Sequence, residues 1–444
     1  MTRFFPDKES VRLLDARQSQ LLAALGRVVE RRRWSRAQLE AFQTATLRSL
    51  LVHAFENVPF YRAKYLAADF HPDNVRDLGD LENIPLLTKD ELRAAGVETL
   101  CGARDGGANR LLSTSGSTGV PLRMFRSEQS LWQFTAANVA LYFDWCERRP
   151  IENVLYFLDP SPDGIDFAMA DLLRSTVMSD RIVSVFEPVD ALAETLAEFS
   201  PEFISSYPST LRNIAVHLDR RARRCECVKL LHVTSETMAQ STRRLLARVF
   251  PRARLVETYT TTEAGLVGHE CPRDGGFHVA EDGVLVEIAG KTPGRIVVTD
   301  LTNVSTPIIR YDGLGDLCRW ENRPCACGSP LRRIAHLEGR FVDSITLRDG
   351  GTQSPYALTN ALDAVAGLYG YQFIQHGIGR FELIAVMNRA AAGSEQTLRE
   401  QSALAVTQAL GEACELDIRF VERIAPPPGG HKVPLVVSKM RRAT

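Results

Sequence analysis

Apolar residues recur at helical spacing over the first part of the chain. In the stretches LLDARQSQLLAALGRVVERRR and AQLEAFQTATLRSLLVHAF, Leu, Ala and Val return every three or four positions, which predicts amphipathic helices. The segment NVPFYR predicts a proline-containing turn. Beyond it, Thr88 is a predicted N-cap, because Glu91 follows three residues later and completes a capping box. Another helix is therefore expected to begin there.

From about residue 110 the pattern changes to short β-rich runs that alternate with helical ones. The runs are NVLYFLD, DFAMADLLRS, IVSVFE, VDALAETLAEF, FISSY, TLRNIAVHLDRRA and KLLHVTS. Strands and helices that alternate in this way predict an α/β domain with a mostly parallel sheet. Between residues 280 and 320, the strand-like runs VLVEIA, GRIVVTD and PIIRYD are separated by Gly and Pro turns. They predict a more antiparallel β portion.

A new pattern begins after residue 340. It comprises SITLRDG, a helix from about Pro355, YQFIQHG, RFELIAVMN, a helix from about Ser394 and LDIRFVERI. This order predicts a small α+β domain. We therefore expect a large α/β domain at residues 1–340, with mixed sheets and a β-rich portion, and a small C-terminal domain at residues 341–444.

Composition and charge favour a protein that acts on small molecules. The 444 residues include 53 Lys and Arg against 54 Asp and Glu, and 45% are hydrophobic, which excludes fibrous, collagen-like and largely disordered classes. A net charge of −1 provides no overall field for nucleic acid or anionic lipid, so we expect neither partner. No apolar run approaches the ~18 residues of a membrane span, and MTRFFPDKES carries acids where a signal peptide is apolar. A cytoplasmic location is expected.

The segment LLSTSGSTGVPLRM contains a loop of glycines and hydroxyl residues. Its centre comprises Ser115, Gly116, Ser117, Thr118 and Gly119. Glycines let a backbone approach a ligand closely, and hydroxyl and N–H groups donate to phosphate oxygens. The loop is not a Walker A motif, because no Gly-Lys-Ser/Thr follows at the required distance. It predicts a phosphate cradle, with a solvated loop as the alternative.

Three cysteines and a histidine have a spacing along the chain that is typical of metal ligands. Cys271 and His278 are separated by six residues, and Cys325 and Cys327 share one short segment after a β-rich stretch. Three cysteines and a histidine form a tetrahedral site that suits Zn²⁺, and four protein ligands make such a site structural. His269 could replace His278. The alternative is that the cysteines are reduced and pack as small hydrophobic side chains; the pair at positions 225 and 227 is interpreted as incidental.

Several motifs in order resemble the AMP-binding adenylate-forming superfamily, and most closely its phenylacetate-coenzyme A ligase family. They are HAFENVPFYRAKY, IPLLTKDELR, the glycine and hydroxyl loop, ETYTTTEAG, PIIRYDGLGD and LEGRFVDS. Together they cover nearly the whole chain. The resemblance implies an adenylate-forming large domain and a small mobile C-terminal lid domain.

The resemblance also implies roles for individual residues at the nucleotide. Tyr259, Thr262 and Glu263 match an aromatic-Gly-x-Thr-Glu turn, which places the threonine by the AMP phosphate and the glutamate on Mg²⁺. The family aspartate that holds the ribose hydroxyls matches Asp316. The arginine near the ribose, close to the hinge, matches Arg340.

Further positions are implied for the small domain and the pockets. The hinge about which the small domain turns matches Asp343. The family lysine that stabilises charge on the carboxylate and the α-phosphate matches Lys432, with Lys439 as the reserve. The segments SYPSTL and VTSETM resemble stretches that line the acyl and adenine pockets; their matching wall residues are Tyr207, Ser235 and Glu236.

The activity that the resemblance implies is ATP-dependent activation of a carboxylic acid, with an aromatic or arylacetic acid as the leading choice. The acid would become an acyl-adenylate and then a thioester of coenzyme A. One alternative acceptor is the phosphopantetheine of a carrier protein, and another is an amine. A further alternative is a nucleotide-binding protein that has lost catalysis, motivated by Thr260 in place of the usual glycine and by an altered loop between residues 311 and 316. The sequence leaves the oligomeric state open, a homodimer included.

Overall fold

The computed structural model describes residues 16–102, 109–114, 121–145, 153–173, 179–340, 343–388, 394–426 and 432–440. Within these residues, helices and strands form a mixed α/β fold with one eleven-stranded sheet, one four-stranded sheet and two two-stranded sheets. The predicted boundary at residues 340 and 341 falls beside residues 341–342, which lie outside the description, and it stays a prediction.

The helices are α1 Ala16–Arg31, α2 Arg36–Asn57, α3 Pro59–Ala67, α4 Lys89–Thr99, α5 Glu128–Trp145, α6 Ile165–Leu173, α7 Val189–Phe199, α8 Pro208–Asp219, α9 Gln240–Val249, α10 Pro355–Asp363 and α11 Glu395–Leu410. The strands are β1 Asn109–Ser113, β2 Arg123–Ser127, β3 Asn153–Leu158, β4 Ser179–Ser184, β5 Phe203–Ser206, β6 Leu230–Val233, β7 Arg254–Thr261, β8 Gly265–Glu270, β9 Phe277–Val279, β10 Val284–Ala289, β11 Gly294–Asp300, β12 Asp316–Glu321, β13 Arg333–Arg340, β14 Ile345–Thr346, β15 Thr352–Gln353, β16 Leu368–Gly377, β17 Arg380–Met387, β18 Glu415–Phe420 and β19 Val436–Ser438.

The N-terminal helices largely follow the apolar pattern. The capping box of α4 is present: the Thr88 N–H donates to the Glu91 carboxylate at 2.8 Å, and the Glu91 N–H donates to the Thr88 hydroxyl at 3.2 Å. The prediction of a turn at NVPFYR is wrong. Pro59 occupies the first turn of α3, where its missing N–H would have no partner in any helix and its fixed φ favours the helical conformation.

The large sheet has eleven strands in the order β10-β11-β12-β13-β9-β8-β7-β6-β5-β3-β4. The strands from β4 through β7 run parallel to their neighbours, as the alternating pattern predicted. From β7 to β8 the pairing becomes antiparallel and stays so to β10. The sheet therefore changes from parallel to antiparallel at the turn between β7 and β8.

One of the predicted antiparallel strands is missing from the sheet. VLVEIA and GRIVVTD form β10 and β11, but PIIRYD makes only isolated bridges, from Tyr311 to Leu87 and to Val298. Ile308 and Ile309 are nonetheless fully buried. The segment is apolar because it lines the core, and this explains why its pattern resembled a strand.

The C-terminal region forms the predicted α+β unit. Its sheet has the order β18-β17-β16-β19, with β16 and β17 antiparallel and the two outer pairs parallel. Ser394 caps α11 by accepting from the Thr397 N–H at 3.0 Å. β19 was not predicted; it brings the chain that follows Lys432 alongside β16.

The C-terminal unit packs directly on helices α8 and α9, which belong to the part of the chain that forms the large sheet. A single apolar cluster joins buried residues of α8 and α9 to Tyr369 and to three further residues of the C-terminal part. Polar contacts flank the cluster. Tyr369 donates to the Asp219 carboxylate, and the Gln240 N–H and the Ser241 hydroxyl donate to Asp363 at 2.8 and 3.0 Å. Among the described residues, no helix has the length and apolar character that crossing a bilayer requires.

Candidate functional site

Candidate site residues follow the carboxyl ends of neighbouring parallel strands. Tyr207 follows β5, Ser235 and Glu236 follow β6, and Thr262 follows β7. The carboxyl ends of parallel strands meet at one edge of a sheet, where open α/β sheets bind their ligands. The topology therefore assembles, at one edge, residues that are far apart in the sequence.

The turn between β7 and β8 carries Thr262 and Glu263. It closes with the Ala264 N–H donating to the Thr261 hydroxyl at 3.0 Å, and Gly265 has a φ of +68°, a conformation that glycine adopts without strain. The Glu263 side chain is buried. A buried carboxylate on a tight turn is a suitable ligand for a hard divalent cation.

A buried arginine that was not predicted from the sequence stabilises this turn by hydrogen bonds to its backbone. Arg126 is fully buried, pairs with the equally buried Asp300 at 2.8 Å, and donates to the hydroxyl of Ser130 at 2.7 Å. The same guanidinium donates to the backbone carbonyls of Thr262 and Glu263, both at 3.2 Å. The available signal was a charged residue inside the short strand RMFRS, since a fully buried arginine needs partners.

The predicted ribose contacts lie at the start of β12 and the end of β13. The Tyr259 hydroxyl donates to Asp316 at 2.5 Å, so the aromatic residue and the aspartate of two separate motifs meet. Asp316 is the cross-strand partner of Arg340, whose side chain lies outside the described part. Tyr259 and Asp316 are therefore in contact, and the ribose roles of Asp316 and Arg340 stay predictions.

The core of the glycine and hydroxyl loop, Ser115, Gly116, Ser117, Thr118 and Gly119, lies outside the described residues. Its two ends are held together: the Thr114 N–H donates to the carbonyl of residue 122, and the N–H of residue 122 donates to the Thr114 hydroxyl, both at 2.9 Å. The preceding residue donates to the carbonyl of residue 163 at 2.9 Å. The described residue before Thr114 thus lies next to the start of α6.

Lys432 lies near a buried carboxylate on α6. Burial raises the pKa of Asp166, and the nearby Lys432 ammonium offsets part of that rise. The Ser235 hydroxyl donates to Asp166 at 2.9 Å. Lys439, the reserve candidate, is exposed, and its ammonium lies 3.5 Å from His376 of the C-terminal sheet. Of the two lysines, Lys432 is the one at the strand edge.

Glu236 is fully engaged by protein groups. Its carboxylate accepts from the Ser209 N–H and from the Ser209 hydroxyl, both at 2.8 Å, and from the Val433 N–H at 3.1 Å. Tyr207 is buried, and its hydroxyl accepts from the Asp159 N–H at 3.4 Å. Asp343 lies between β13 and β14, and its role as a hinge stays a prediction.

The structure brings the four predicted metal ligands together. The ligand atoms of Cys271, His278, Cys325 and Cys327 all lie within 4.8 Å of one another. The Cys271 and Cys325 sulfurs are 3.2 Å apart, and the Cys327 sulfur is 3.2 Å from His278 Nε2. In a tetrahedral zinc site the ligand atoms stand about 3.5 to 3.8 Å apart, so the donor set has the size and chemistry of such a site.

The surroundings of the cluster orient its ligands. His278 Nδ1 lies 3.3 Å from the carbonyl of Leu331, which leaves Nε2 directed at the sulfurs, the arrangement typical of metal-binding histidines. Burial raises the pKa of the Cys271 thiol, but hydrogen bonds from nearby backbone N–H groups and from the thiols of Cys325 and Cys327 more than offset it, so the pKa is lowered. The His269 ring lies beside that of His278, with the ring centroids 5.7 Å apart, and does not join the cluster. Cys225 and Cys227 are 3.4 Å apart and gather no further ligand among the described residues.

Comparison with known proteins shows similarity to the family that the sequence motifs resemble. No family model matches the chain. It is 28% identical over 338 residues to the phenylacetate-coenzyme A ligase of Escherichia coli, and 27% identical over 337 residues to that of Thermus thermophilus. Each alignment covers 70% of this chain and 73% of the relative.

Among solved structures, a 2-hydroxyisobutyryl-CoA ligase in the postadenylation state, bound to an acyl-AMP, superposes with a TM-score of 0.78 at 18% identity. The superposition covers 98% of this chain and 94% of that one. It confirms the predicted fold, a large N-terminal domain followed by a small C-terminal one. The resemblance that the motifs indicated is confirmed as well.

Proposed function

We propose that this chain, which is similar to phenylacetate-coenzyme A ligases over 70% of its length and shares the fold of a 2-hydroxyisobutyryl-CoA ligase, is an AMP-forming acid–thiol ligase. In the first step a carboxylate oxygen of the acid attacks the α-phosphorus of ATP; the bond to the β-phosphate breaks and pyrophosphate leaves. In the second step the thiol of coenzyme A attacks the acyl carbon, the thiol proton is lost, and AMP leaves as acyl-CoA forms.

The observation that carries the proposal is the convergence of matching residues at one sheet edge. The Thr262 and Glu263 turn, the bonded pair of Tyr259 and Asp316, and Lys432 beside α6 all lie where the topology collects ligand contacts. No protein nucleophile is needed, because positioning and charge stabilisation suffice for both steps.

Each group has a distinct part in this proposal. Glu263 would hold Mg²⁺, which supplies charge neutralisation for the triphosphate. Thr262 faces the phosphate, and Asp316, oriented by the Tyr259 hydroxyl, accepts from the ribose hydroxyls. The Lys432 ammonium attracts the acid carboxylate and the α-phosphate at once, so it lowers the cost of bringing two anions together.

The acid is proposed to be aromatic or arylacetic, and the acceptor to be coenzyme A. Both follow from the similarity to phenylacetate-coenzyme A ligases over 70% of the chain. Tyr207, buried at the end of β5, supports a partly aromatic pocket wall. A phosphopantetheine carrier and an amine are the outcomes that the experiment must separate from coenzyme A.

The experiment measures pyrophosphate release from ATP and Mg²⁺ over a panel of aryl, arylacetic and short aliphatic acids, each with and without coenzyme A. We expect release that requires an acid and rises with coenzyme A, together with AMP and a thioester product. Lys432→Ala should abolish most of it, while the matched control Lys439→Ala should not. Pyrophosphate release that does not rise with coenzyme A would exclude coenzyme A as the acceptor. No release with any acid from folded protein would refute the proposal.

We further propose that Cys271, His278, Cys325 and Cys327 hold one structural Zn²⁺ per chain. The geometry of the four ligand atoms supports this, and four protein ligands leave no open position for catalysis. Elemental analysis should find about one zinc per chain, lost in Cys325→Ser and retained in the matched control Cys225→Ser. Protein purified without chelator that contains no metal would refute the site.

A further inference from the structure

The Glu236 carboxylate joins the two parts of the protein at one point. Two of its three donors belong to Ser209, at the start of α8, and the third is the N–H of Val433 in the C-terminal part. Hydrogen bonds to a charged acceptor are stronger than neutral ones. Glu236 therefore fixes the backbone of the residue that directly follows Lys432.

The buried guanidinium of Arg212 attracts the Glu236 carboxylate. Arg212 lies one turn along α8 and is almost fully buried, and its attraction for Glu236 partly offsets the burial that raises the pKa of that carboxyl. Strand β16 runs over the arginine: a Cβ on Gly370 would stand 2.5 Å from Arg212 Cδ. Glycine at this position therefore lets β16 approach the arginine closely.

The side chain of Val433 also anchors the segment. It is buried in the apolar cluster formed with α8 and α9, so both its backbone and its side chain are attached to the large sheet. Lys432, immediately before it, faces the buried Asp166. The segment is thus held at Val433 and directed at the sheet edge through Lys432.

We propose that Glu236 is a positioning residue that seats the Lys432 segment for acid activation, rather than a wall residue that contacts adenine or the acid. The inference rests on the proposed function for its kinetic consequence, whereas the seating itself is a property of the folded chain. With Glu236 unable to hold Val433, Lys432 is no longer directed at the strand edge, and the first chemical step slows. The second step, which does not use Lys432, is spared.

The seating is tested first without any substrate, by amide hydrogen exchange on the full chain. In Glu236→Ala, exchange in residues 432–440 should accelerate about tenfold or more, because the hydrogen bond from Val433 to a charged acceptor is lost. Ser209→Ala removes one donor but keeps the bond to Val433, so these residues should exchange as in wild type. Asp363→Asn is the matched interface control: it should affect the start of α9 and leave 432–440 unchanged.

The kinetic arm separates the two half-reactions, with the acid that the panel identifies. For Glu236→Ala, kcat of ATP–pyrophosphate exchange should fall about tenfold to a hundredfold at unchanged KM for ATP. Thioester formation from supplied acyl-adenylate should change less than threefold. Equal losses in both half-reactions, or unaltered exchange in residues 432–440, would overturn the inference. A panel without any active acid would refute the proposed function while the exchange arm still decides the seating.

Discussion

Removing the buried arginine behind the β7–β8 turn gives a quantitative test of how that turn is held. In Arg126→Met the side chain keeps much of its volume but loses its charge, and Asp300 stays behind with two donors from Thr302, at 2.8 and 2.7 Å. Both members of the pair are fully buried. An ion pair that loses one member in such a position leaves an uncompensated charge.

The magnitude follows from that burial. Breaking a buried pair by removing one partner costs about 3 to 5 kcal/mol, and the two turn carbonyls that lose their donor add to the loss. Replacing the remaining charge as well, in Arg126→Met with Asp300→Asn, should recover about 2 kcal/mol because the buried charge is gone. The double variant is thus expected to be more stable than the single arginine variant.

The assay is urea unfolding followed by tryptophan fluorescence. All four tryptophans precede residue 340, and Trp132 and Trp145 are buried on α5, the helix that follows Arg126, so the signal reports the large domain. A cost below about 1 kcal/mol for Arg126→Met would refute the reasoning. Additive losses in the double variant would do so as well, since they would mean that the two side chains do not stabilise each other.

Three further predictions concern the lysine, the metal cluster and pH. Lys432→Ala should lower the rate of adenylation by about 10² to 10³, measured as ATP–pyrophosphate exchange; a loss below threefold would contradict its role. Gly276→Ala should lower the melting temperature and the zinc content, because its φ is +68° and a Cβ would stand 2.4 Å from the Ile334 carbonyl; Gly275→Ala, with similar φ and open space, should cost only about 1 to 2 kcal/mol. Burial and the neighbouring Glu270 raise the pKa of Glu257 to about 8. The Glu257 carboxyl therefore binds a proton more tightly in the folded state than in the unfolded state, and stability is lost as pH rises from about 4.5 to 8. Urea titrations at pH 5.5 and 8.5 should show that Glu257→Gln loses less stability over this range than wild type.

Local patterns predicted most elements because short-range physics determines them. The capping box at Thr88 and Glu91 and the alternation from β3 to β6 appear in the structure as expected. The turn expected at NVPFYR failed because Pro59 is compatible with a helix start as well as a turn. Strand β19 was missed because its pairing partner, β16, lies some sixty residues earlier, and a three-residue strand has too little pattern of its own.

The site divides in the same way. Motif residues such as Tyr259 and Asp316 were identified from their order along the chain, and the structure places them in contact. The four side chains of the proposed zinc site were predicted from their chemistry, and the structure brings their ligand atoms together. Arg126 stood in the sequence as a charged residue inside a strand, but its contacts with the β7–β8 turn, like the contact of Glu236 with Val433, could not be identified, because the partners are backbone groups more than a hundred residues away. A backbone carbonyl or N–H leaves no signature in the sequence, so only the folded chain reveals such contacts.

Strand β13 has a consequence for energetic coupling. It begins at Arg333, 3.4 Å from the Cys325 sulfur, and ends at Arg340, opposite Asp316 and three residues before Asp343. One strand therefore connects the proposed metal ligands, the proposed ribose contact and the predicted hinge. By thermodynamic reciprocity, if the orientation of the C-terminal domain changes the affinity for AMP, then AMP must bias that orientation by the same factor. Nucleotide release and rotation of the C-terminal domain would then be coupled through the same equilibrium.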